Sequence, residues 1–314
     1  MGVCPVSVMS KLKQLRVAVS DRRWWPFYFQ RLFMTRSARA RVARWIARRR
    51  PQAGTNARAA PRTSELTGLL CSDGFALLGK LLSDADCRAA HEYLTKCVVH
   101  DPYRPGAGTF LPLSDRRPDA SHIAHHDARD VLLAPGLLAL ANSEQIIAVA
   151  ECFLGCRATI SYLAAWWSYP TKVGAQHAEH FHRDVDDWRF LKLFVYLTDV
   201  GEEQGPHKYV AGSAANDQLR EIRRFTDGEV EAVFGRARIA VMTGRAGDAF
   251  LEDTFGIHKG QPVVTGRRLI FQAVYSLSEL PYGPSSPVAT NTEVARVTAP
   301  TTLDPWVNRC YVKS

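Results

Sequence analysis

The second half of the chain predicts a mainly β fold, an antiparallel barrel or sandwich with helices on its outside. After Gly155 the sequence breaks into short β-branched and aromatic runs: ATISYLAAWWSYP, RFLKLFVYLTDV, HKYVAGS, RIAVMTG, DAFLED and RRLIFQAVYSL. That is strand composition. The connecting stretches PTKVG, GEEQGPH, GRAGD and KGQPVVTG are Gly, Pro and Asp turns. Only DQLREIRRFTDGEVEAVFG, around residues 217–235, reads as a helix among them. Strands joined without crossover helices pair antiparallel rather than as a βαβ sheet. No internal repeat is visible.

The 314 residues suffice for one large core or two modest ones. The net charge of +9 is unevenly spread: through Ser64 there are fifteen Lys or Arg against the single acid Asp21, and the remainder has 25 basic and 30 acidic residues. Residues 1–64 are therefore a basic N-terminal arm and linker, and the body is mildly acidic. The arm mixes Arg with Trp, Phe and Leu but has no apolar stretch of secretory or membrane-spanning length. Its opening MGVCPVS has Val6 where a myristoylation signal needs Ser or Thr. Such a segment suits a solvated arm or peripheral contact with an anionic membrane surface. Nucleic acid is not the expected partner, although the charge would suit it. PQAGTNARAAPRTSE, residues 51–65, has linker composition.

From Ser72 the chain reads as a short strand and a helix. Ser83 is the natural N-cap, Asp84 and Asp86 suit the positive helix start, and Cys87, Ala90, Leu94 and Cys97 recur at helical spacing. A loop-rich stretch follows, with a second histidine cluster, His122, His125, His126 and Asp127, that reads as solvated or bordering a substrate mouth. NSEQIIAVAECFLG reads as a helix from Asn142 or Ser143 to a C-terminal Gly155. The seven cysteines form no CxxC pair. Without a secretion signal, free thiols in a reducing cytoplasm are expected, and Cys152 and Cys156 read as small buried hydrophobes. The body is expected over 65–284, with a C-terminal tail over 285–314.

HFHRDVDD, residues 180–187, is the chemical focus. In an extended segment His180, His182 and Asp184 project to one side, so a His and a carboxylate two apart reach one ion. An isolated His-x-Asp is more often a solvated turn. His258 in GIHKG is the best third ligand, and two imidazoles with one carboxylate on one face suit non-haem Fe(II) handling oxygen and a chelating co-substrate. Arg267 and Arg268 head the strand LIFQAVY, where a buried guanidinium needs an anion. A forked guanidinium matches a carboxylate, so one dicarboxylate would span metal and arginine. Substituting His180 for His182 would place Asp184 four residues away. His177 and His207 read as turn residues. No GxSxG elbow or phosphate-binding glycine loop is present.

In order along the chain, SDGFALLGKLLSDADCRAA, the His-x-Asp of HRD, GPHKYVAGS, GDAFLEDTFGIHKG and GRRLIFQ resemble the phytanoyl-CoA dioxygenase-like branch of the Fe(II)- and 2-oxoglutarate-dependent oxygenases, over about Ser72 to Ser276. The resemblance implies a double-stranded β-helix, a jelly-roll (cupin-like) barrel, and an enzyme that couples oxidative decarboxylation of 2-oxoglutarate by O2 to hydroxylation of a small organic or lipid-like molecule. It implies iron ligation by His182, Asp184 and His258. Arg268 would hold the distal carboxylate of 2-oxoglutarate, with Arg267 as the alternative; alternation allows only one to point inward. Lys192 shares a face with Phe194 and Tyr196. The family places an aromatic near Phe194 inside the barrel, so Lys192 either lines the co-substrate pocket or snorkels at a strand end. The segment AGSA lacks the proline and the histidine of the family's Pro-Gly-Ser-His, Ala214 standing at the latter. A carboxylate at Asp184, where halogenating relatives carry a small residue, favours oxygenation. The rival reading is a non-catalytic barrel that binds a ligand or partner. The sequence carries no signal for substrate identity or oligomeric state.

Overall fold

Antiparallel pairing dominates the chain, as the turn-separated runs predict. A computed structural model describes residues 21–54, 60–172, 174–298 and 303–313; Cys4, the MGVCPVS opening, part of the linker and the Val173 turn lie outside them. In chain order the strands are β1 (Phe75–Lys80), β2 (Val99–His100), β3 (Thr109–Phe110), β4 (Ile123–His126), β5 (Thr159–Ser168), β6 (Phe190–Tyr196), β7 (His207–Val210), β8 (Ile239–Met242), β9 (Asp248–Glu252), β10 (His258–Gly260), β11 (Arg268–Ser276), β12 (Ala289–Thr290) and β13 (Val312–Lys313). The large sheet runs β1-β9-β6-β11-β5-β4-β2-β3 and faces a small sheet β10-β7-β8, while β12 and β13 form a parallel pair. This is a mainly β jelly-roll with flanking helices; its large sheet stays open at β1 and β3 rather than closing into a barrel.

β6 shows why the body is two-layered. All seven of its residues are buried, so both faces are covered. Leu191, Leu193 and Val195 pack with Leu66, Leu94 and Val149 of the outer helices. Phe194 and Tyr196 turn the other way and meet Phe250 and Ile270, with Tyr209 and Met242 from the small sheet. Burying such a side chain contributes about 1.5–3 kcal/mol, so register is held from both sides.

The helix from Asp84 to Lys96 starts where expected, its Ser83 Oγ accepting from Asp86 N at 3.1 Å. The helix Glu144–Leu154 ends at Gly155, which adopts the left-handed φ of 84° that glycine takes most easily. Two expectations are corrected. A helix opens inside the linker at Pro61 and runs to Ser72, because proline suits the first helical turn. The helix expected over residues 217–235 occupies only Asp227–Phe234, capped reciprocally by Thr226 and Glu229. Upstream, the carbonyls of Asn216, Gln218 and Leu219 accept from Arg183 instead of from a helical turn.

Residues 21–50 are not a solvated arm. Helices Trp24–Gln30 and Arg36–Ala47 lie on the body, burying Phe27, Gln30, Arg39, Ala43 and Ala47. No helix among the described residues is long and apolar enough to cross a membrane.

Candidate metal centre

The two histidines singled out from sequence face each other across a backbone bridge. His182 N donates to His258 O and His258 N to His182 O, each at 3.0 Å. Asp184 N donates to Thr254 O at 2.9 Å, so residues 182–184 run beside 254–258. Gly256 is required in this turn, since a Cβ there would sit 1.8 Å from Tyr209 Oη. His182 Nε2 lies 3.4 Å from Asp184 Oδ1 and His258 Nε2 lies 3.2 Å from Asp184 Oδ2. The three ligand atoms fall within 4.8 Å of one another.

The donor set fits a divalent ion. His182 Nδ1 donates to His180 O at 2.9 Å and His258 Nδ1 to Gly256 O at 3.0 Å. These bonds set the tautomer and leave both Nε2 lone pairs aimed at the shared centre. Burial pushes His182 down to about 4, with His258 adding to the effect. Burial opposes a charge on His258 too, but Asp184 holds its pKa above the usual value. A divalent ion held here would neutralise Asp184 and leave both imidazoles uncharged. His180 projects elsewhere, its Nε2 bonding Ala175 O at 3.0 Å.

Lys192 reaches the same carboxylate. Its Nζ lies 2.6 Å from Asp184 Oδ2 and 2.9 Å from Asp186 Oδ2. Burial works against the ammonium, but the two aspartates outweigh it and hold the pKa above that of an ordinary lysine. The chain that leaves Asp184 is held from outside as well. Gln30 Nε2 donates to Val185 O at 3.2 Å and Asp186 O at 2.8 Å, and Arg39 Nη2 donates to Asp187 O.

His182, Asp184, His258, Lys192 and Arg268 line one chamber of about 210 Å³, with Tyr103, Tyr162, Trp166 and Phe194 on its walls. Arg268, the first residue of β11, is buried, whereas Arg267 is exposed. Arg268 donates to Gly205 O through Nη1 and to Ser168 Oγ at 3.0 Å through Nη2. Its Nε has no partner, and no carboxylate among the described residues pairs with it.

Sequence reasoning misplaced His207 and overlooked Glu252. His207, read as a turn residue, opens β7 inside the chamber, stacked on His258 with ring centroids 5.4 Å apart. Its Nε2 lies 2.9 Å from Oε2 of Glu252, which the sequence reading passed over. Burial raises Glu252 to about 8 and pushes His207 well below its usual value, so burial favours the uncharged form of each. The available signal was alternation in HKYV, which puts His207 on the face of Tyr209. His122, His125 and His126 are not solvated: they flank or form β4, with His122 3.0 Å from Glu179, His125 in the chamber wall and His126 accepting from Trp167 Nε1 at 3.1 Å.

Among solved structures the chain is similar to HygX from Streptomyces hygroscopicus, determined with nickel and 2-oxoglutarate (15% identity, 74% of this chain and 92% of that one, TM-score 0.49). It is also similar to EctD from S. alaskensis (18%, 72% and 80%, 0.48) and to the epimerase SnoN from nogalamycin biosynthesis (20%, 68% and 82%, 0.47). No curated protein matches the chain. The family model described as phytanoyl-CoA dioxygenase (PhyH) matches residues 70–269, spanning β1 through the start of β11 and every residue placed around the chamber centre. The chain belongs to the phytanoyl-CoA dioxygenase family.

Proposed function

We propose that this protein is an Fe(II)- and 2-oxoglutarate-dependent dioxygenase that hydroxylates a small organic or lipid-like substrate, with release of succinate and CO2. His182, Asp184 and His258 would hold the iron, and Arg268 the distal carboxylate of 2-oxoglutarate. Arg267 faces solvent and takes no part. The observation that carries the reading is Arg268: a buried guanidinium with a free donor faces the chamber that holds a His-Asp-His group. An unpaired buried cation is costly, and a carboxylate two-pronged on the guanidinium removes that cost.

Iron with 2-oxoglutarate and O2 supplies the oxidising chemistry, and this chain's residues bind, orient and exclude water. His180 O and Gly256 O hold the two imidazoles in place. Lys192 acts through Asp184, holding the carboxylate by Oδ2 so that it stays turned toward both imidazoles. Tyr103, Tyr162 and Trp166 give the open side of the chamber an aromatic wall for a small substrate. We place the enzyme in the cytoplasm, in peripheral contact with a membrane through its basic N-terminal segment.

Succinate formation from 2-oxoglutarate tests the assignment. Alanine at His182 or His258 is expected to abolish it, together with the Fe(II)-dependent rise in melting temperature that 2-oxoglutarate produces under anaerobic conditions. Turnover that survives either substitution would overturn the ligand set. A protein that binds ligand but neither iron nor 2-oxoglutarate would be a non-catalytic binding module.

A further inference from the structure

Residues 21–50 present two faces of opposite character. One is buried on the body through Phe27, Gln30, Arg39, Ala43 and Ala47. On the other, Trp25 (64% exposed), Phe29 (56%) and Leu32 (77%) recur at i, i+4 and i+7, which is one side of a helix and its continuation. On the following helix Arg41, Arg44 and Arg48 recur at helical spacing and are exposed, beside Trp45 at 57% exposure. Packing joins the two. Phe29 and Phe33 lie 6.4 and 5.7 Å from the Trp188 ring. Trp188 in turn lines a groove of about 800 Å³ with Arg36, Arg41, Arg44 and Arg189. The carboxylates in that groove are Asp217, whose Oδ1 accepts from Arg36 N at 2.8 Å, and Asp253. Across 21–50 there are ten arginines and one aspartate, and Asp21 is paired with Arg23 at 2.7 Å.

We propose that this face is a docking surface for an anionic lipid bilayer, with Trp25, Phe29, Leu32 and Trp45 entering the headgroup layer and Arg41, Arg44 and Arg48 meeting lipid phosphates and carboxylates. The reading builds on the peripheral membrane contact placed in the proposed function and is independent of the metal and co-substrate assignments. Charge complementarity selects the occupant. A cationic surface with protruding Trp and Phe matches the interface of an acidic membrane, where indole and phenyl rings settle at headgroup depth. A polyanion such as nucleic acid would satisfy the arginines, but Leu32, the most exposed large apolar side chain among the described residues, has no aromatic face for stacking on a base. A second protein would have to cover the exposed Arg41, Arg44 and Arg48 with carboxylates of its own. The docked face also sits directly behind the metal-site loop, because Gln30 and Arg39 from the same helices hold the carbonyls of Val185, Asp186 and Asp187. Docking would place the body against the bilayer with those contacts intact.

Co-sedimentation of the full chain with vesicles tests it. The protein is expected to pellet with phosphatidylcholine vesicles containing about one third phosphatidylserine, to stay in solution with phosphatidylcholine alone, and to be released by high salt. Each arginine near such a surface contributes about 1 kcal/mol, so the triple substitution R41Q/R44Q/R48Q should weaken binding about a hundredfold. W25S/L32S should weaken it at least tenfold at unchanged charge. These positions are exposed, so melting temperature and 2-oxoglutarate binding should match the unsubstituted protein, separating loss of docking from loss of fold or of the catalytic site. Equal binding to neutral vesicles, no binding to either kind, binding unchanged in both variants, or preference for duplex or single-stranded nucleic acid over acidic vesicles would each overturn the proposal.

Discussion

Arg183 and Arg268 are both buried, at 5% and 4% exposure, and neither has a carboxylate partner among the described residues. Their surroundings are opposite. All five donors of Arg183 are used: Nε meets Leu219 O at 2.9 Å, Nη1 meets Ser213 O at 3.0 Å and Phe255 O at 2.6 Å, and Nη2 meets Asn216 O at 3.1 Å and Gln218 O at 2.8 Å. It clamps the 213–219 loop onto the turn that precedes His258, and it does not line the chamber that holds His182, Asp184 and His258. Arg268 has two neutral acceptors, an unused Nε and an open chamber in front of it. A saturated buried guanidinium is a structural device; an unsaturated one beside a cavity keeps a donor free, which is what the proposed 2-oxoglutarate site requires.

Substitution at Arg183 should have the largest effect. Arg183→Ala strands five carbonyls and is expected to cost about 3–5 kcal/mol by chemical denaturation; Arg183→Lys, with three donors, should recover part of this. If the alanine variant kept its stability but lost 2-oxoglutarate affinity, the roles assigned to the two arginines would be reversed.

The loop between them offers a pH test. Burial raises Asp187 to about 7, against the pull of the Trp188 and Ser278 amides and of Arg39. An unfolded aspartate titrates near 4, so the fold binds the extra proton between about pH 4 and 7 and loses stability as pH rises through that window. The full shift corresponds to no more than about 4 kcal/mol. Denaturant midpoints across the window should fall for the native protein relative to Asp187→Asn; parallel profiles would mean that the carboxyl is ionised throughout.

Arg268→Met should raise the dissociation constant for 2-oxoglutarate about a hundredfold, roughly 3 kcal/mol. Thermal stability without ligand should be kept or improved, since a buried unpaired charge is removed. Lys192→Met, measured by metal titration, should weaken Fe(II) binding about 10–100-fold, the usual consequence of losing a group that orients a ligand. Arg267→Gln, one residue from Arg268 and facing solvent, should change stability by less than about 0.5 kcal/mol and leave 2-oxoglutarate affinity unaltered.

Much of this was legible where the signal is local. Ser83, Gly155 and the pleated alternation of β6 announce their structure through neighbours within a few residues, because caps and strand faces depend on short-range geometry. The His182-x-Asp184 pair was readable for the same reason. The helix expected at residues 217–235 failed because Arg183, more than thirty residues upstream, takes the carbonyls that the first turns would need. His207 and Glu252 were overlooked since neither carries a motif; they matter only through burial against each other and against His258. The N-terminal segment looked solvated because its composition is basic, whereas Arg39 is buried by bonding carbonyls of Gln30, Phe33 and Asp187 that composition does not reveal.

From the sequence alone come the β-rich body, the order of its strands along the chain, the family motifs and the residue types of the candidate metal site. Those follow from side-chain periodicity, turn chemistry and spacing, which are properties of consecutive residues. Tertiary structure decided which arginine turns inward, which histidines share the chamber, and that residues 21–50 back the loop after Asp184. Each depends on strand register or on contacts between segments far apart in the chain, and a one-residue slip in register would exchange Arg268 for Arg267.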